Sequence, residues 1–235
     1  DGRYHLMYLY ARQKEVYHWG HISSIDLVHW RHHPDALTEI NGDHGCFSGG
    51  AFVDDDGTAY LTFWKLCDAD APQGYEGSGI GIAESRPPYD VWKRWEGVVI
   101  AADRFGVKDV LVDGHLRRVG CADPTGIWKK DGKYYLQTGN LCVLNQYGRG
   151  PDAPAEMRGD WTDLFESDDL HTWRYVDRFY RRRQDNAWTE ESEDAMCPTF
   201  LPLPASPEGG KPSGKYLQMF ISHNKGCQYY VGAYE

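Results

Sequence analysis

The sequence repeats one pattern, a tight turn followed by a strand in which aromatic and aliphatic residues alternate. The copies read DGRYHLMYLY from Asp1, DGTAYLTFW from Asp56, DGKYYLQTG from Asp131 and SGKYLQMFIS from Ser213. Asp-Gly favours a hairpin turn because the turn requires positive φ, and the alternation that follows is typical of a strand. Each copy therefore predicts a β-hairpin.

A second motif recurs later in the units. SIDLVHW begins at Ser24, SDDLHTW begins at Ser167, and ESRPPYDVW, from Glu84, is a looser copy. Long helical periodicity is nearly absent, because Pro and Gly interrupt every candidate helix. Mostly-β units of more than about 40 residues are typical of propeller blades. The chain is therefore predicted to be an all-β propeller, and a β-sandwich with chance similarities is the alternative.

The amino-acid composition limits the classes of molecule that the protein is expected to bind. The net charge of −10 argues against nucleic acid and anionic membrane, and no apolar run approaches the roughly 18 residues of a membrane span. Aromatic residues make up 14% of the chain, and aromatic rings favour sugar-binding surfaces. His32-His33 and Asp43-His44 have no third ligand at a convincing spacing, so we expect no metal and no cofactor. A carbohydrate is the expected partner.

The cysteines fit no zinc-binding spacing. They stand at positions 46, 67, 121, 142, 197 and 227, several of them inside predicted strands, where a reduced thiol packs as a small apolar side chain. We therefore expect free thiols and a cytoplasmic location, with secretion as the alternative.

Aligning the copies reveals a shared position just before each hairpin. Ser48 lies eight residues before Asp56, and Asp123 lies eight residues before Asp131. Cys197-Pro198 aligns with Asp123-Pro124 once a longer fourth turn is allowed for. Because the first strand of each propeller blade lines the central channel, these small and acidic residues are expected to converge on one site.

Longer stretches resemble glycoside hydrolase family 32, which contains invertases, levanases, inulinases and related β-fructosidases. They are WGHISSIDLVHWRHHPDAL from Trp19, GCFSGGAFVDDDG from Gly45, ADPTGIWKKDGKYYL from Ala122 and CPTFLPLP from Cys197. The resemblance implies a five-bladed β-propeller that retains configuration while hydrolysing β-fructofuranosides of the sucrose, fructo-oligosaccharide, levan or inulin type. Residues 1–235 would form a single catalytic-type propeller domain with about four blades, its first inner strand preceding Asp1 and its ring closing after Glu235.

Retaining hydrolysis requires two carboxyl groups about 5–5.5 Å apart, a nucleophile and an acid/base. The resemblance implies a nucleophilic Asp on an inner strand before residue 1. It also implies that Asp123 stabilises the transition state, because ADP matches the family's Arg-Asp-Pro with Ala122 in place of the Arg. Substrate contacts are implied for Trp19, Phe47, Ser48 and Cys197, with Trp19 stacking on the sugar.

The family's acid/base is a Glu directly before Cys-Pro, where this chain has Met196. The nearest acids are Asp194 and Glu193, and a bulged loop can preserve the hydrogen-bond reach that a general acid needs. Glu193 is the first choice because it has the longer side chain and the family's residue type. Asp194 is the second choice and Glu191 the third, and a solvated acidic loop is the alternative.

Three departures from the family fall together. Ala122 and Met196 replace charged residues, and Leu9 stands where family members commonly carry a Gln. This pattern predicts a divergent member with a different furanoside or linkage. Two other functions stay open: a furanosidase active on arabinans or arabinosides from a neighbouring five-bladed family, and a non-catalytic carbohydrate-binding propeller.

Overall fold

A computed structural model describes most of the chain. The described ranges are 1–13, 16–40, 43–67, 77–141, 161–181, 195–222 and 226–233, together with residues 146 and 154. Within these ranges the regular elements are β-strands and no α-helix occurs, so the all-β prediction is confirmed. The same ranges contain no helix of the length and apolarity that crossing a membrane requires.

Blades 1 and 2 share one sheet. Blade 1 contains β1 (Tyr4–Gln13), β2 (Val16–Ser24) and β3 (Trp30–His32). Blade 2 contains β4 (Asp43–Val53), β5 (Ala59–Cys67), β6 (Gly79–Ser85), β7 (Lys93–Arg94) and β8 (Ile100–Ala101). Strands within each blade are antiparallel, and the blades meet where Tyr17 of β2 pairs in parallel with Gly45 of β4.

The remaining strands form a hairpin and two further blades. The hairpin consists of β9 (Val107–Val112) and β10 (His115–Gly120). Blade 3 contains β11 (Trp128–Lys130), β12 (Lys133–Thr138), β13 (Trp161–Ser167) and β14 (Trp173–Arg181). Blade 4 contains β15 (Ala195–Ser206), β16 (Gly209–Ser222) and β17 (Gly226–Ala233). The sheets curl without closing into a ring within the described residues.

The repeated Asp-Gly turns connect the strands as expected in blades 2 and 3. Asp131 and Gly132 join β11 to β12 with φ values of 51° and 77°. The fourth copy differs, because the turn between β15 and β16 lies at residues 207–208. Ser213 and Gly214 stand inside β16, opposite a bulged part of β15 in which Pro202 and Pro204 interrupt the register. The turn predicted at Ser213 is therefore wrong, because β15 and β16 stay paired beyond this point, as far as Ser206 and Gly209. The prolines cannot donate to the ladder, and the bulge accommodates them.

The second repeated motif folds into the same turn in both close copies. The hydroxyl of Ser24 accepts the backbone N–H of Leu27 at 2.9 Å, and the hydroxyl of Ser167 accepts that of Leu170 at 2.9 Å. Leu27 and Leu170 both take left-handed φ values, 63° and 66°. Counted from Ser85, the looser copy is one residue longer than the other two, and its left-handed residue is Tyr89, with a φ of 63°.

The core lies between neighbouring blades. One cluster joins blades 1 and 2, and its buried members include Trp19, Leu37, Cys46, Leu61 and Phe63. A larger cluster joins blades 2 and 3 and includes Ile80, Ile82, Leu136 and Phe165. Burying a large apolar side chain stabilises a fold by about 1.5–3 kcal/mol, so contacts between blades hold this part of the chain together.

Candidate active site

The aligned positions of blades 2, 3 and 4 meet at one point. The Cys197 thiol donates to Asp123 Oδ2 at 3.4 Å, and the Cys197 backbone N–H donates to the same oxygen at 3.3 Å. The thiol also lies 3.6 Å from Ser48 Oγ. Ser48, Asp123 and Cys197 therefore form one hydrogen-bonded cluster, although each belongs to a different blade.

Asp123 and Cys197 share an unusual backbone conformation. Their φ values are 42° and 46°, in the left-handed region that residues other than glycine seldom adopt. Each precedes a proline, and the proline ring disfavours the ordinary helical conformation in the residue before it. Ala122 exchanges hydrogen bonds with Gly139, which hold the segment that leads into Asp123.

Burial sets the electrostatics of the cluster. Asp123 is only 5% exposed, and its pKa is raised by that burial, while the hydrogen bonds from Cys197 and Ser48 act in the opposite direction. Burial also raises the pKa of Cys197 to about 12, with the Asp123 charge as the second cause. The thiol is therefore protonated at neutral pH and serves as a hydrogen-bond donor to Asp123.

An apolar layer lies one residue before each member of this cluster. Phe47, Ala122 and Met196 pack together with three further apolar residues, Trp64, Leu66 and Leu141. Ala122 is fully buried. The positions at which the resemblance implies an Arg and a Glu are thus occupied by side chains that pack in this apolar layer.

Trp19 supports the site from behind. Its side chain is 6% exposed within the core between blades 1 and 2, and its indole N–H donates to the Phe47 carbonyl at 2.9 Å. The resemblance implies that Trp19 stacks on the sugar, and that role stays a prediction beside its place in the core cluster. The Phe47 ring packs against Tyr17 and Trp64, with centroids 5.0 and 5.1 Å away.

Other expected site residues fall elsewhere. Glu191, Glu193 and Asp194 lie outside the described residues, so the choice of acid/base stays a prediction. Among the side chains that are described, no group of three or more His, Cys, Asp or Glu is placed to hold a metal ion. Sequence reasoning also missed Trp64, whose one signal is that it stands where the next copy of the repeat has Gly139.

Comparison with known proteins gives concordant matches. The model of the glycosyl hydrolases family 32 N-terminal domain matches residues 1–235. Raffinose invertase of Escherichia coli is 41% identical over 233 residues, which cover 94% of this chain and 42% of that protein. Sucrose-6-phosphate hydrolase of Klebsiella pneumoniae is 31% identical over 86% of this chain and 38% of its own length. The chain thus spans about two fifths of the length of these relatives.

Solved structures match the whole chain at lower identity. Fructan 1-exohydrolase IIa from Cichorium intybus has a TM-score of 0.67 at 20% identity, covering 100% of this chain and 40% of that one. Exo-inulinase from Aspergillus awamori has a TM-score of 0.67 at 18% identity, covering 100% of this chain and 46% of that one. At these identities the likeness establishes the fold, and it confirms the prediction of a five-bladed β-propeller.

Proposed function

The chain belongs to glycosyl hydrolase family 32, and on this premise we propose that the whole protein hydrolyses β-fructofuranosides with retention of configuration. The observation that carries the proposal is the buried Asp123 carboxylate, which Cys197 holds at the meeting point of three blades. Relatives named raffinose invertase, sucrose-6-phosphate hydrolase and levanase support a carbohydrate substrate that contains fructose.

The proposed mechanism assigns one role to each carboxyl group. An Asp expected on the inner strand before residue 1 attacks the anomeric carbon and forms a covalent intermediate. Glu193 protonates the leaving oxygen and then activates the water that releases fructose. Asp123 accepts hydrogen bonds from ring hydroxyls as oxocarbenium character develops. Cys197 fixes one oxygen of that carboxylate through two donors, so the group is oriented before substrate binds.

A substrate screen on the whole protein tests the reaction. Sucrose, raffinose, inulin and levan are expected to release fructose, and arabinan and arabinosides are expected to stay intact. Release of arabinose instead would establish the arabinoside-active alternative. Binding of fructans without turnover would establish the carbohydrate-binding alternative, which the packing of Met196 in an apolar layer specifically favours.

Substitution of the acids before Cys197 tests the assignment of the acid/base. Glu193→Gln is expected to lower kcat by about 10²- to 10⁴-fold, the usual contribution of general acid catalysis, and Asp194→Asn is the matched control. Near-normal turnover by Glu193→Gln would remove Glu193 from the mechanism. Met196→Glu, made in the Glu193→Gln background, shows whether the family's usual position restores the activity.

We also propose a cytoplasmic location. Four cysteines with described side chains, Cys46, Cys67, Cys121 and Cys197, are free thiols, which persist in a reducing compartment. Titration of thiols in freshly lysed cells under non-reducing conditions tests this. Protected, disulfide-bonded cysteines would support secretion instead.

A further inference from the structure

Asp163 is a buried carboxylate that the proposed mechanism does not use. It lies on β13 and is inaccessible to solvent. Its Oδ2 accepts the backbone N–H of Gly120 at 2.7 Å and the indole N–H of Trp161 at 3.0 Å. Its Oδ1 accepts the hydroxyl of Tyr175 at 3.1 Å. Burying a carboxylate costs free energy, and these three donors offset part of that cost. The presence of a carboxyl group at this position therefore calls for an explanation.

Gly120, the residue that Asp163 holds, is fixed at both of its backbone groups. Thr138 Oγ1 donates to the Gly120 carbonyl at 2.6 Å, while Asp163 accepts the N–H. A Cβ at position 120 would lie 2.5 Å from the Gly139 carbonyl oxygen, so the two strands approach closely there. Gly120 ends β10 and stands three residues before Asp123, with only Cys121 and Ala122 between them.

The segment from Gly120 to Asp123 is short and is held at each step. The Cys121 N–H donates to the Gly106 carbonyl at 2.7 Å, and Ala122 accepts the Gly139 N–H at 2.7 Å. Asp123 then takes its left-handed backbone conformation. A displacement of Gly120 is therefore expected to shift Asp123, because the two residues between them are fully buried and hydrogen-bonded and leave little room to absorb it.

We propose that Asp163 is a positioning residue for Asp123, acting through the backbone of Gly120. The kinetic part of this inference rests on the proposed hydrolysis of β-fructofuranosides. Asp163 is itself inaccessible to solvent, so in this proposal it acts on the site through Gly120 and not by direct contact with a substrate. Its function is to fix the position of the segment from Gly120 to Asp123, which leads into the first strand of blade 3. Asp123 then meets Cys197 and the sugar in a fixed geometry.

This role is compatible with either protonation state. Burial raises the pKa of Asp163 to about 6. A proton on Oδ1 can be donated to the Tyr175 oxygen once that hydroxyl rotates, while Oδ2 continues to accept from Gly120 and Trp161. An asparagine that places its oxygen at Oδ2 and its amide nitrogen at Oδ1 reproduces these contacts. A leucine of similar shape reproduces none of them.

These properties define the experiment, in which kcat and KM for fructose release are measured with the whole protein. Asp163→Leu is expected to lower kcat at least about tenfold with KM changed less than about threefold, since a small displacement near the reacting atoms lowers the rate more than binding. Asp163→Asn is expected to keep kcat within about threefold, which is the conservative rescue. Tyr175→Phe, which removes the Oδ1 contact and the 3.4 Å contact between the Tyr175 hydroxyl and Arg117 but leaves the Gly120 N–H bonded to Oδ2, is the matched control and should keep kcat.

Thr138→Val serves as the second variant in case Asp163→Leu does not fold. It removes the one hydroxyl that holds the Gly120 carbonyl and is expected to lower kcat in the same direction. Unchanged kcat in Asp163→Leu or in Thr138→Val would overturn the proposal, as would an equal loss in Asp163→Asn and Asp163→Leu.

A structural readout separates this proposal from the proposed function. In a crystal structure of Asp163→Leu, or of Thr138→Val, Asp123 Oδ2 is expected to move from the Cys197 N–H, which lies 3.3 Å away in the native chain. An unchanged distance would overturn the positioning role whether or not the protein hydrolyses fructosides. Absence of fructose release by the native protein, with the displacement observed, would overturn the proposed function and support the positioning of Asp123.

Discussion

At the scale of single residues, Asp123 is a carboxyl group whose burial works against its own charge. Desolvation raises its pKa above the ordinary range, and the donors on Cys197 and Ser48 offset this only in part. A raised pKa in the folded protein means that the ionised form costs free energy of folding. Groups that are kept at such a cost are frequent at functional sites.

Asp123→Asn is therefore expected to separate stability from activity. Loss of the charge should lower kcat by about 10²- to 10³-fold, the magnitude of one lost electrostatic contact to the transition state. The variant should unfold at a higher denaturant concentration than the native protein at pH 7, because stability from a raised pKa is lost as pH rises. That advantage should shrink as pH falls below the ordinary pKa of Asp. Kinetics at pH 7, and urea unfolding at pH 7 and at a pH below the ordinary pKa of Asp, measure these effects. Lower stability of the variant than of the native protein at pH 7 would contradict the prediction.

The repeated sequence predicts the meeting of Ser48, Asp123 and Cys197 because it carries strand register, and register decides which positions face the same centre. It does not predict the burial of Trp19, since alternation along a strand gives two faces without saying which neighbour covers each. The hydrogen bonds of Asp163 are not predicted either, for a similar reason. Its partner Gly120 lies on β10, which is 43 residues away and outside blade 3, so the sequence around Asp163 does not indicate that contact.

At the scale of elements, the Ser-x-Asp-Leu turn shows how one motif serves two environments. Leu27 and Leu170 have nearly the same left-handed φ, a conformation that costs a leucine about 1–2 kcal/mol. Leu27 is 56% exposed, whereas Leu170 is 4% exposed and packs in the core between blades 2 and 3. Both leucines therefore carry similar backbone strain, but only at Leu170 does burial of the side chain offset it.

Glycine at the two positions should change stability by different amounts. Leu27→Gly is expected to change the free energy of unfolding by less than about 1 kcal/mol, because relief of strain balances the entropy that glycine loses on folding. Leu170→Gly should lower it by about 2–5 kcal/mol through loss of a buried side chain. Urea unfolding of both variants measures the difference, and equal losses would show that burial does not distinguish the two turns.

The fourth hairpin turn lies away from its predicted position for a reason that also belongs to the elements. Ser213-Gly214 has the local chemistry of a turn, yet the strand pair of β15 and β16 runs through it to residues 207–208. Local turn propensity was overridden by pairing along two long strands. Length of pairing is a property of the pair of strands, and a single segment of sequence does not contain it.

A histidine stack joins blade 1 to blade 2. His5 Nδ1 and His21 Nε2 are hydrogen-bonded at 2.8 Å, and the His21 ring stacks on His33 with centroids 4.2 Å apart. His33 in turn is hydrogen-bonded to Asp90 of blade 2 at 2.5 Å. Burial, followed by the neighbouring His33 and His5, lowers the pKa of His21 to about 4, so this ring is neutral when the blades are docked.

Acid should therefore loosen this contact between blades. A lowered pKa in the folded protein contributes stability above about pH 6.5, and that contribution is lost as pH falls towards 4. The native protein is expected to lose up to roughly 3 kcal/mol more than His21→Phe between pH 7 and pH 4. His115→Phe, at an exposed histidine of β10, is the control and should follow the native protein. Parallel pH dependence of His21→Phe and the native protein would contradict the prediction.

At the scale of the whole molecule, a buried amide pair connects blades 3 and 4. Gln137 and Gln218 exchange two hydrogen bonds, at 3.0 and 2.7 Å. Gln137 is inaccessible to solvent and Gln218 is 8% exposed. Each buried amide supplies hydrogen bonds to the other, so the pair requires both blades to dock in one register.

A double-mutant cycle measures this dependence. Gln137→Leu and Gln218→Leu should each lower the free energy of unfolding by about 1–3 kcal/mol, because each leaves a buried amide without its partner. The double variant should lose less than the sum of the two, since both polar groups are then absent. Strict additivity in urea unfolding would show that the blades dock without reference to the pair.

The convergence of equivalent positions from three blades also bears on how such a protein diverges. Each central side chain is delivered by its own strand, so exchanging one residue alters the chemistry of the centre while the backbone of the other blades keeps its register. Ala122 and Met196, which stand where the resemblance implies an Arg and a Glu, are substitutions of this kind. Innovation in this architecture can therefore proceed by point substitution at the axis, independently of the insertions and deletions that reshape its rim.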